Sequence, residues 1–300
     1  MENQPLNKQL IADHIEQIGI LKKKDGFTIE KIHLFESIDS TNTFAKQFAQ
    51  NVEPLLDTEG ILTQEGHKIQ GSVFIAEEQT AGRGRIGRSF FSPKGTGLYF
   101  SIIFVANGGI KKPALITAAA AVGVCRSLNQ CFNIYPKIKW VNDLFLQEKK
   151  IGGILTEGVI STNNSFVQAA IIGVGLNICT AKKDFPTDVA NVAGSLFSVD
   201  GSDINRNFLA ASVASNVYQC VAESFLGNAN IIDEYRKHSL FNKGQILTIF
   251  PVATSPKNAY KAIYEGVDQE GRLKITLLEN KKKQVLSSGE VSLHSEHFTN

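Results

Sequence analysis

Residues 79–88 read Gln79-Thr80-Ala81-Gly82-Arg83-Gly84-Arg85-Ile86-Gly87-Arg88, so three glycines alternate with three arginines over seven positions. Strand-like segments flank the stretch on both sides, at 72–76 and 98–104. Glycines let a backbone bend and approach a ligand closely, and arginine guanidinium groups match phosphate and carboxylate oxygens. The stretch therefore predicts an anion-binding loop set between two strands, suited to a triphosphate or an acyl phosphate. The alternatives are a solvated basic loop and an arginine–glycine-rich nucleic-acid tail, and the flanking strands argue against a tail.

Two common nucleotide-binding motifs do not account for this loop. The chain contains no G-x-x-x-x-G-K-[ST] sequence. Gly82, Gly84 and Gly87 match G-x-G-x-x-G, but the strand–turn–helix context and the acidic residue about 20 positions later are missing, so the match is weak.

A second pair of segments carries charged groups at predicted strand ends: Lys139-Trp140-Val141-Asn142-Asp143 and Lys149-Lys150-Ile151-Gly152-Gly153-Ile154-Leu155. Lysines near a phosphate neutralise the charge that builds up in a nucleotidyl transfer. Asp143 is suited to position a metal or an incoming amine. Taken alone, the segments slightly favour a structural interpretation, with a solvated hairpin tip and a turn.

Two further segments are compatible with either function or packing. Gly173-Val174-Gly175-Leu176-Asn177 places glycines inside a strand, which marks a close approach by a ligand or another element. Asp39-Ser40-Thr41-Asn42 caps a predicted helix, and its hydroxyl groups are also suited to hydrogen-bond a polar ring in a pocket.

The hydrophobic pattern predicts an α+β fold followed by a small all-β barrel module. The predicted domains are an N-terminal helical extension (1–25), a catalytic domain (26–242) and a C-terminal barrel (243–300). Residues 51–70 are predicted to be a loop or insertion. The predicted helices are Asn7–Ile20, a helix capped by Asp39 to Thr41, Pro113–Leu128 and Phe208–Leu226. The predicted strands are Phe27–Phe35, Ser72–Ala76, Leu98–Phe104, Ile138–Val141, Ile151–Val159, Phe166–Ile172, Gln245–Phe250, Tyr260–Val267, Leu273–Leu278 and Lys283–Leu286.

Composition excludes several classes of protein. The net charge of +2, from 31 basic and 29 acidic residues, argues against a protein that mainly coats nucleic acid or an anionic membrane. No signal peptide or membrane span is apparent, which predicts a cytoplasmic protein. The four cysteines form no C-x-x-C pair, and reduced core thiols are expected.

Taken together, the motifs resemble those of the biotin–protein ligases from about Phe27 to the end of the chain. They are D-S-T-N, E-E-Q-T-A-G-R-G-R-x-G-R, S-P-x-G-x-G-L-Y-F-S, K-W-x-N-D, K-I-G-G-I-L and G-x-G-x-N, in that order. The C-terminal segment, with Gly266, Gly271 and Gly289-Glu290-Val291-Ser292-Leu293, resembles the small barrel of that family. The resemblance implies a seven-stranded mixed β-sheet backed by helices, as in class II aminoacyl-tRNA synthetases, plus an SH3-like barrel. It also implies an enzyme that uses ATP and Mg²⁺ to form biotinyl-5′-AMP and then transfers biotin to a lysine of a biotin carboxyl carrier domain.

The resemblance assigns roles by motif position. Catalysis is expected from Lys150, Arg85 and Asp143. Biotin is expected to contact Ser40, Thr41, Asn42, Gln79, Gly82, Arg83, Arg85, Lys150, Gly152 and Gly153, with the last two admitting its bicyclic ring. The nucleotide is expected to contact Arg83, Arg85, Arg88, Phe90, Lys139, Asn142 and Asn177. No metal ligand is assigned.

Three residues depart from the family pattern. Phe90 stands where tryptophan is usual, Ile86 replaces a commonly basic residue, and Val141 replaces the proline of K-W-P-N-D. Weaker stacking, one charge fewer and a less restricted backbone are expected, respectively.

Three alternatives remain at this point. A lipoate or octanoyl ligase or transferase shares the fold class, although the glycine–arginine loop and K-W-x-N-D favour biotin. A non-catalytic biotin sensor is less compatible with Arg83, Arg85, Lys150 and Asp143 together. About 26 residues precede the first predicted strand, too few for a winged helix–turn–helix, so no DNA binding is expected. The sequence leaves open whether the protein is a monomer or a homodimer.

Overall fold

The computed structural model describes residues 5–21, 27–52, 54–161, 167–198, 204–228, 230–251 and 259–293. Its helices are α1 (Lys8–Ile18), α2 (Thr41–Asn51), α3 (Gln64–Ile69), α4 (Pro113–Phe132), α5 (Arg206–Phe225) and α6 (Asn230–His238). Its strands are β1 (Ile32–Phe35), β2 (Val73–Ala76), β3 (Gly97–Val105), β4 (Lys137–Lys139), β5 (Asp143–Leu146), β6 (Lys149–Ile160), β7 (Val167–Asn177), β8 (Ile246–Phe250), β9 (Tyr260–Val267), β10 (Leu273–Leu277), β11 (Lys283–Leu286) and β12 (Glu290–Leu293).

The first seven strands form one mixed sheet in the order β1-β2-β3-β7-β6-β5-β4. β1 and β2 are parallel, and every other neighbouring pair is antiparallel. The expected seven-stranded mixed sheet backed by helices is therefore confirmed.

Helices cover both faces of this sheet. All nine residues of β3 are buried, and successive side chains of a strand point to opposite faces. Leu98, Phe100 and Ile102 pack into the larger core with α1, α4 and α5. Ile103 and Val105 pack into a smaller core with α2. β3 thus reads as a nearly continuous apolar run because neither of its faces is exposed to water.

Several sequence expectations need correction. Residues 51–70 were expected to be a loop, but α3 lies within them and Leu55 and Leu56 are buried. Thr63 caps α3 by accepting a hydrogen bond from the amide of Gly66, and this short polar cap was not recognised. The N-terminal half of the predicted strand Phe27–Phe35 includes a 3₁₀ turn at Ile29–Lys31. β5, α6 and β12 were not predicted.

The C-terminal strands form a separate five-stranded antiparallel sheet in the order β11-β10-β9-β8-β12. This sheet packs on the first domain, where the indole nitrogen of Trp140 donates a hydrogen bond to the carbonyl of Gly271 at 2.9 Å. A side chain at position 271 would meet the carbonyl oxygen of Ala114 at 2.7 Å, and its φ of 76° favours glycine. The SH3-like barrel and the domain boundaries remain predictions.

The N-terminal helix is docked against the fold. Asn7 caps α1, as its side chain accepts from the amide of Leu10, and Gly19 ends the helix in the left-handed region at φ 71°. The backbone amide of Leu6 donates to Glu77 at 2.7 Å, and that carboxylate also binds Arg206 at 2.8 Å. The predicted helix Asn7–Ile20 is confirmed, and its entry is tied to a buried ion pair. The expected break at 22–26 lies outside the described residues.

One described helix, α4, is long and apolar enough to cross a membrane. The expectation that no segment approaches a membrane span is therefore wrong by length and composition alone. However, 67% of the apolar window is buried inside the fold. That burial is typical of the core helix of a globular domain.

Candidate active site

A cavity of about 740 Å³ opens at one edge of the mixed sheet. The carboxyl ends of β2 and β7 and the amino ends of β3 and β6 lie at this edge, because β2 and β7 run antiparallel to β3 and β6. The N-terminus of α2, the glycine–arginine loop and the C-terminal sheet contribute the remaining walls. Motifs that are far apart in sequence therefore meet in one place.

Three glycines, which have no side chain, form part of the sheet surface beneath the cavity. Gly153, Gly173 and Gly175 line the cavity. Gly153 and Gly175 are register partners on neighbouring strands. A side chain at position 175 would meet the Phe90 ring at 2.5 Å, and one at position 173 would overlap the amide of Asn42. Gly173 and Gly175 therefore admit these two side chains, while Gly153 leaves open room above the strand.

Hydrogen-bonded side chains form a polar floor at the end of α2. The amide nitrogen of Thr41 donates to Oε1 of Gln79 at 2.9 Å, and its hydroxyl lies 3.1 Å from the same oxygen. Nε2 of Gln79 donates to Ser92 at 2.9 Å. The buried hydroxyl of Ser101 lies 2.8 Å from Oγ1 of Thr41 and 2.7 Å from Oδ1 of Asn42. These groups are fixed in orientation, which is what selective recognition of a polar ring requires.

The glycine–arginine loop folds back on itself beside this floor. Phe90 N donates to Gly82 O at 2.8 Å, and Gly84 N donates to Arg88 O at 2.7 Å. The tip is a 3₁₀ turn over Arg85–Gly87, in which Ile86 has φ 56° and is half exposed. A β-branched residue rarely adopts this backbone conformation, so the tip is locally strained.

Two arginines of the loop reach across the cavity to different strands. Arg85 donates to Oδ1 of Asn142 at 2.8 Å and to the carbonyl of Gly289 in the C-terminal sheet at 3.4 Å. Arg83 forms an ion pair with Glu157, in which NH1 donates a hydrogen bond to Oε2 at 3.1 Å and NH2 lies 3.1 Å from Oε1. The loop is therefore held over the cavity by ion-pair and amide contacts.

Lys150 and Asp143 form an ion pair of 2.8 Å on the opposite wall, and both are partly exposed. They belong to β6 and β5, which a tight turn at Gln147-Glu148 connects, with φ of 45° and 67°. Asn142 donates to Asp143 at 3.2 Å and to the carbonyl of Ile154 at 3.1 Å. The hairpin-tip interpretation and the site interpretation of Lys149-Lys150 are thus compatible, because the tip opens onto the cavity.

A family model described as the biotin/lipoate A/B protein ligase family matches residues 34–177. The chain is 31% identical over 188 residues to the bifunctional ligase/repressor BirA of Bacillus spizizenii, an alignment that covers 63% of this chain and 51% of that protein. The chain thus spans about half the length of that relative. It is 27% identical to the biotin–[acetyl-CoA-carboxylase] ligase of Mycobacterium tuberculosis, over 75% of this chain and 80% of that protein.

The fold matches solved structures of the same family. A biotin protein ligase of Aquifex aeolicus in complex with biotin and ATP aligns with a TM-score of 0.66 and 22% identity, over 87% of this chain and 97% of that chain. At this identity the comparison supports the fold, including the seven-stranded sheet.

Most of the residues assigned from the sequence line the cavity. Those in its lining are Ser40, Thr41, Asn42, Gln79, Arg83, Arg85, Arg88, Phe90, Lys139, Asn142, Asp143, Lys150 and Gly153. Their roles toward biotin and the nucleotide remain predictions. Lys139 lies with its ammonium 5.8 Å from the centre of the Phe145 ring, a cation–π contact at the cavity wall.

Three assigned residues lie outside the cavity lining, and their contact with a substrate remains a prediction. Gly82 is packed against the carbonyl of Phe90 within the loop. Gly152 faces the other side of the sheet, because alternate residues of a strand point to opposite faces, and a side chain there would meet the carbonyl of Gly175 at 2.5 Å. Asn177 donates its side-chain amide to Gly194 O at 2.9 Å.

Sequence analysis missed several cavity residues. Asp188, Val189, Val192 and Ala193 come from the segment after β7, which joins β6 where Lys150 N donates to Val192 O at 2.8 Å. Phe250, Pro251, Gly289 and Val291 come from the C-terminal sheet. Contacts between segments that are far apart in sequence bring both groups of residues to the cavity, and no short motif marks them as cavity residues.

The three residues that depart from the family pattern lie in or beside the cavity. Phe90 packs with its ring against Gly175 and at 6.4 Å from the ring of Tyr99. Ile86 occupies the strained loop tip. The peptide bond between Trp140 and Val141 is cis.

Proposed function

We propose that the protein is an ATP-dependent biotin–protein ligase. It would form biotinyl-5′-AMP and transfer the biotinyl group to a lysine of a biotin carboxyl carrier domain. The observation that carries this proposal is the cavity itself, where a fixed polar floor, an arginine loop and the Lys150–Asp143 pair converge at one sheet edge. The relatives support the same reaction class, since the M. tuberculosis protein is a biotin–[acetyl-CoA-carboxylase] ligase.

The first half-reaction joins two anions. A carboxylate oxygen of biotin attacks the α-phosphorus of ATP, and the bond from this phosphorus to the oxygen bridging to the β-phosphate breaks, which releases pyrophosphate. Repulsion between carboxylate and triphosphate opposes this step, and fixed cations in a partly desolvated site lower that barrier. Lys150, Arg83, Arg85 and Arg88 are the cations that line the cavity near the strand edge.

Biotin is proposed to lie over Gly153 with its polar ring end toward the floor. Thr41, Gln79 and Ser101 hold one another in place there, so donors and acceptors have defined directions. Gly153 offers the width that a flat bicyclic ring needs, because its nearest non-neighbouring atom, Oδ1 of Asp143, would lie 3.5 Å from an added Cβ.

The second half-reaction needs a neutral lysine amine. Its nitrogen attacks the carbonyl carbon of the mixed anhydride, the bond between that carbon and the phosphate oxygen breaks, and AMP leaves. Asp143 is the carboxylate beside Lys150, so we propose that it orients the incoming amine. Proximity can supply much of the rate of such a step once both reactants are held.

Mg²⁺ is proposed to enter with ATP as part of the substrate. Mg²⁺ is usually held by one or two carboxylates together with substrate phosphates. Asp143 and Asp188 line the cavity and suit that arrangement. The bound ion would neutralise phosphate charge. Among the described residues, no group of three or more His, Cys, Asp or Glu side chains offers a dedicated metal site.

A cytoplasmic location is part of the proposal. The four cysteines are free, and three of them are buried, as expected in a reducing compartment. A carrier domain of a carboxylase is the proposed partner, and the protein acts on it as a monomer or a homodimer.

The test is mass spectrometry of a purified biotin carboxyl carrier domain after incubation with this protein, Mg-ATP and biotin, with lipoate in a parallel reaction. A mass gain of one biotinyl group on the carrier lysine is expected. Modification by lipoate alone would reassign the substrate and keep the fold. Biotin binding with no adenylate and no transfer would favour a non-catalytic sensor.

A further inference from the structure

Glu157 is an acidic residue of the cavity region that the motifs do not include. It lies on β6, four positions beyond Gly153, and therefore on the same face of the sheet. Its side chain is 15% exposed. A carboxylate next to a cavity that is to receive anionic substrates requires an explanation, since it would repel them.

The contacts of Glu157 show what its charge does. Both carboxylate oxygens face the guanidinium group of Arg83, with a charge-assisted hydrogen bond from NH1 to Oε2 at 3.1 Å and NH2 at 3.1 Å from Oε1. Oε2 also accepts a hydrogen bond from the amide of Asn42 at 3.0 Å. Glu157 therefore connects the glycine–arginine loop, the sheet and the N-terminus of α2.

This arrangement leaves Arg83 capable of binding a ligand. A guanidinium group has five N–H donors, of which one on NH1 bonds Glu157 and one on NH2 lies within ion-pair distance of it. Three donors remain, and the side chain is 46% exposed where it lines the cavity. By contrast, both hydrogens of the Asn42 amide are used within the protein, by Glu157 and by the carbonyl of Leu155 at 3.2 Å. Asn42 thus acts as a support between the floor and Glu157.

We propose that Glu157 is a positioning residue that presents Arg83 to the substrate carboxylate or phosphate and holds the glycine–arginine loop over the empty cavity. This inference rests on the proposed function for its substrate and on the structure alone for its loop. The loop tip is strained at Ile86 and half exposed, so a tether at Arg83 matters for its order. Pre-ordering the loop reduces the conformational entropy lost on binding.

The experiment compares Glu157→Gln with wild type and with Glu36→Gln as the matched control. Glutamine keeps an acceptor for Asn42 but removes the charge that pairs with Arg83. Glu36 pairs with Lys94 at 2.8 Å on the surface, so its variant loses an equivalent ion pair away from the cavity.

Hydrogen exchange of the ligand-free protein is the first readout, since it does not depend on the substrate. Amides of residues 82–90 are expected to exchange roughly three- to tenfold faster in Glu157→Gln, a range that allows for the partial exposure of the pair. No change is expected in Glu36→Gln. Unchanged exchange in Glu157→Gln would overturn the inference, whatever the substrate proves to be.

Adenylate formation is the second readout. The KM for biotin is expected to rise by roughly three- to tenfold in Glu157→Gln, with a smaller change in kcat. In an Arg83→Ala background the same substitution is expected to leave KM unchanged. A lowered KM in Glu157→Gln would mean that Glu157 competes with substrate for Arg83. An equal rise in KM in the Arg83→Ala background would mean that Glu157 acts by another route. Either result overturns the proposal. Failure of wild type to form adenylate would reject the proposed function and leave the exchange result standing.

Discussion

The adjacent glycines of β6 allow a sharp test of where the ligand lies. Gly153 faces the cavity, and Gly152 faces the opposite side of the sheet. A methyl group added at position 153 would meet Asp143 at 3.5 Å and Lys150 at 3.7 Å, which is ordinary van der Waals contact. At position 152 it would meet the carbonyl of Gly175 at 2.5 Å and a methyl of Leu176 at 2.7 Å, which forces the strands to move.

Opposite phenotypes are therefore expected from the two alanine variants. Gly153→Ala should fold with wild-type stability, because its methyl group enters the cavity. If the biotin ring lies on Gly153, overlap with this methyl group should weaken binding by about 1–3 kcal/mol, which is roughly 5- to 150-fold in Kd. Gly152→Ala should lose about 1–3 kcal/mol of unfolding free energy to overpacking, while its folded fraction binds biotin normally.

Isothermal titration of biotin gives the affinity, and urea denaturation gives the free energy of unfolding. Both are measured for each variant and for wild type. Gly153→Ala with unchanged biotin affinity would refute the position proposed for the ring. Gly153→Ala with lowered stability would refute the structural reasoning, since the alanine would then clash with the protein rather than with its ligand.

Three other predictions concern charge and pH. Lys150→Ala should lower the rate of adenylate formation by roughly 10²- to 10³-fold, because a fixed cation is removed from the reacting anions. Lys149→Ala should change this rate little. Pyrophosphate release measures the rate of both variants, and equal effects would contradict the role assigned to Lys150. Arg206→Met should lower the free energy of unfolding, measured by urea denaturation, by about 3–5 kcal/mol, because Glu77 is left buried without its cation. A smaller decrease in the double variant Arg206→Met/Glu77→Gln would show that the unpaired buried charge is the cause. Burial holds the pKa of His33 below its usual value, so the contribution of this residue to stability is complete above about pH 6.5 and is lost as the pH falls toward the lowered pKa. In thermal unfolding between pH 7.5 and 5.5, His33→Phe should lose less stability than wild type. Equal losses of stability would contradict the reasoning.

Local sequence signals predicted those parts of the fold that local physics decides. The β9 and β11 limits agree with the structure, and α1 has the predicted Asn7 at its N-terminus, since alternation and capping are read within a few residues. The prediction of a loop at 51–70 was wrong because local signals are weak in that segment. Six helical residues within a polar stretch give too little periodicity to recognise, and burial of Leu55 depends on contact with the distant Gln168.

The candidate site shows the same limit. Contiguous motifs such as residues 79–88 identified the residue types that the chemistry needs. They did not distinguish Gly152 from Gly153, because the facing of a strand residue depends on register with β5 and β7, which short motifs do not encode. A residue such as Glu157, whose neighbours in sequence do not form a recognised motif, is not marked as part of the site by the sequence alone.

The position of the site follows from the order of the strands. β6 and β7 pair over most of their length, yet β6 begins at Lys149, three residues before its first partner in β7, and leaves Lys150 beyond the paired region. The segment carrying Val192 and Ala193 pairs with Lys150 there. The lysine backbone is thus held in a ladder while its ammonium points to Asp143 across the hairpin. A cation on a strand supported on both sides is fixed more firmly than one on a loop, whereas the arginines proposed to enclose the substrate lie on the loop. The distribution of cations between strand and loop therefore matches the two demands of the proposed reaction: fixed charge at the reacting centre and a movable cover above it.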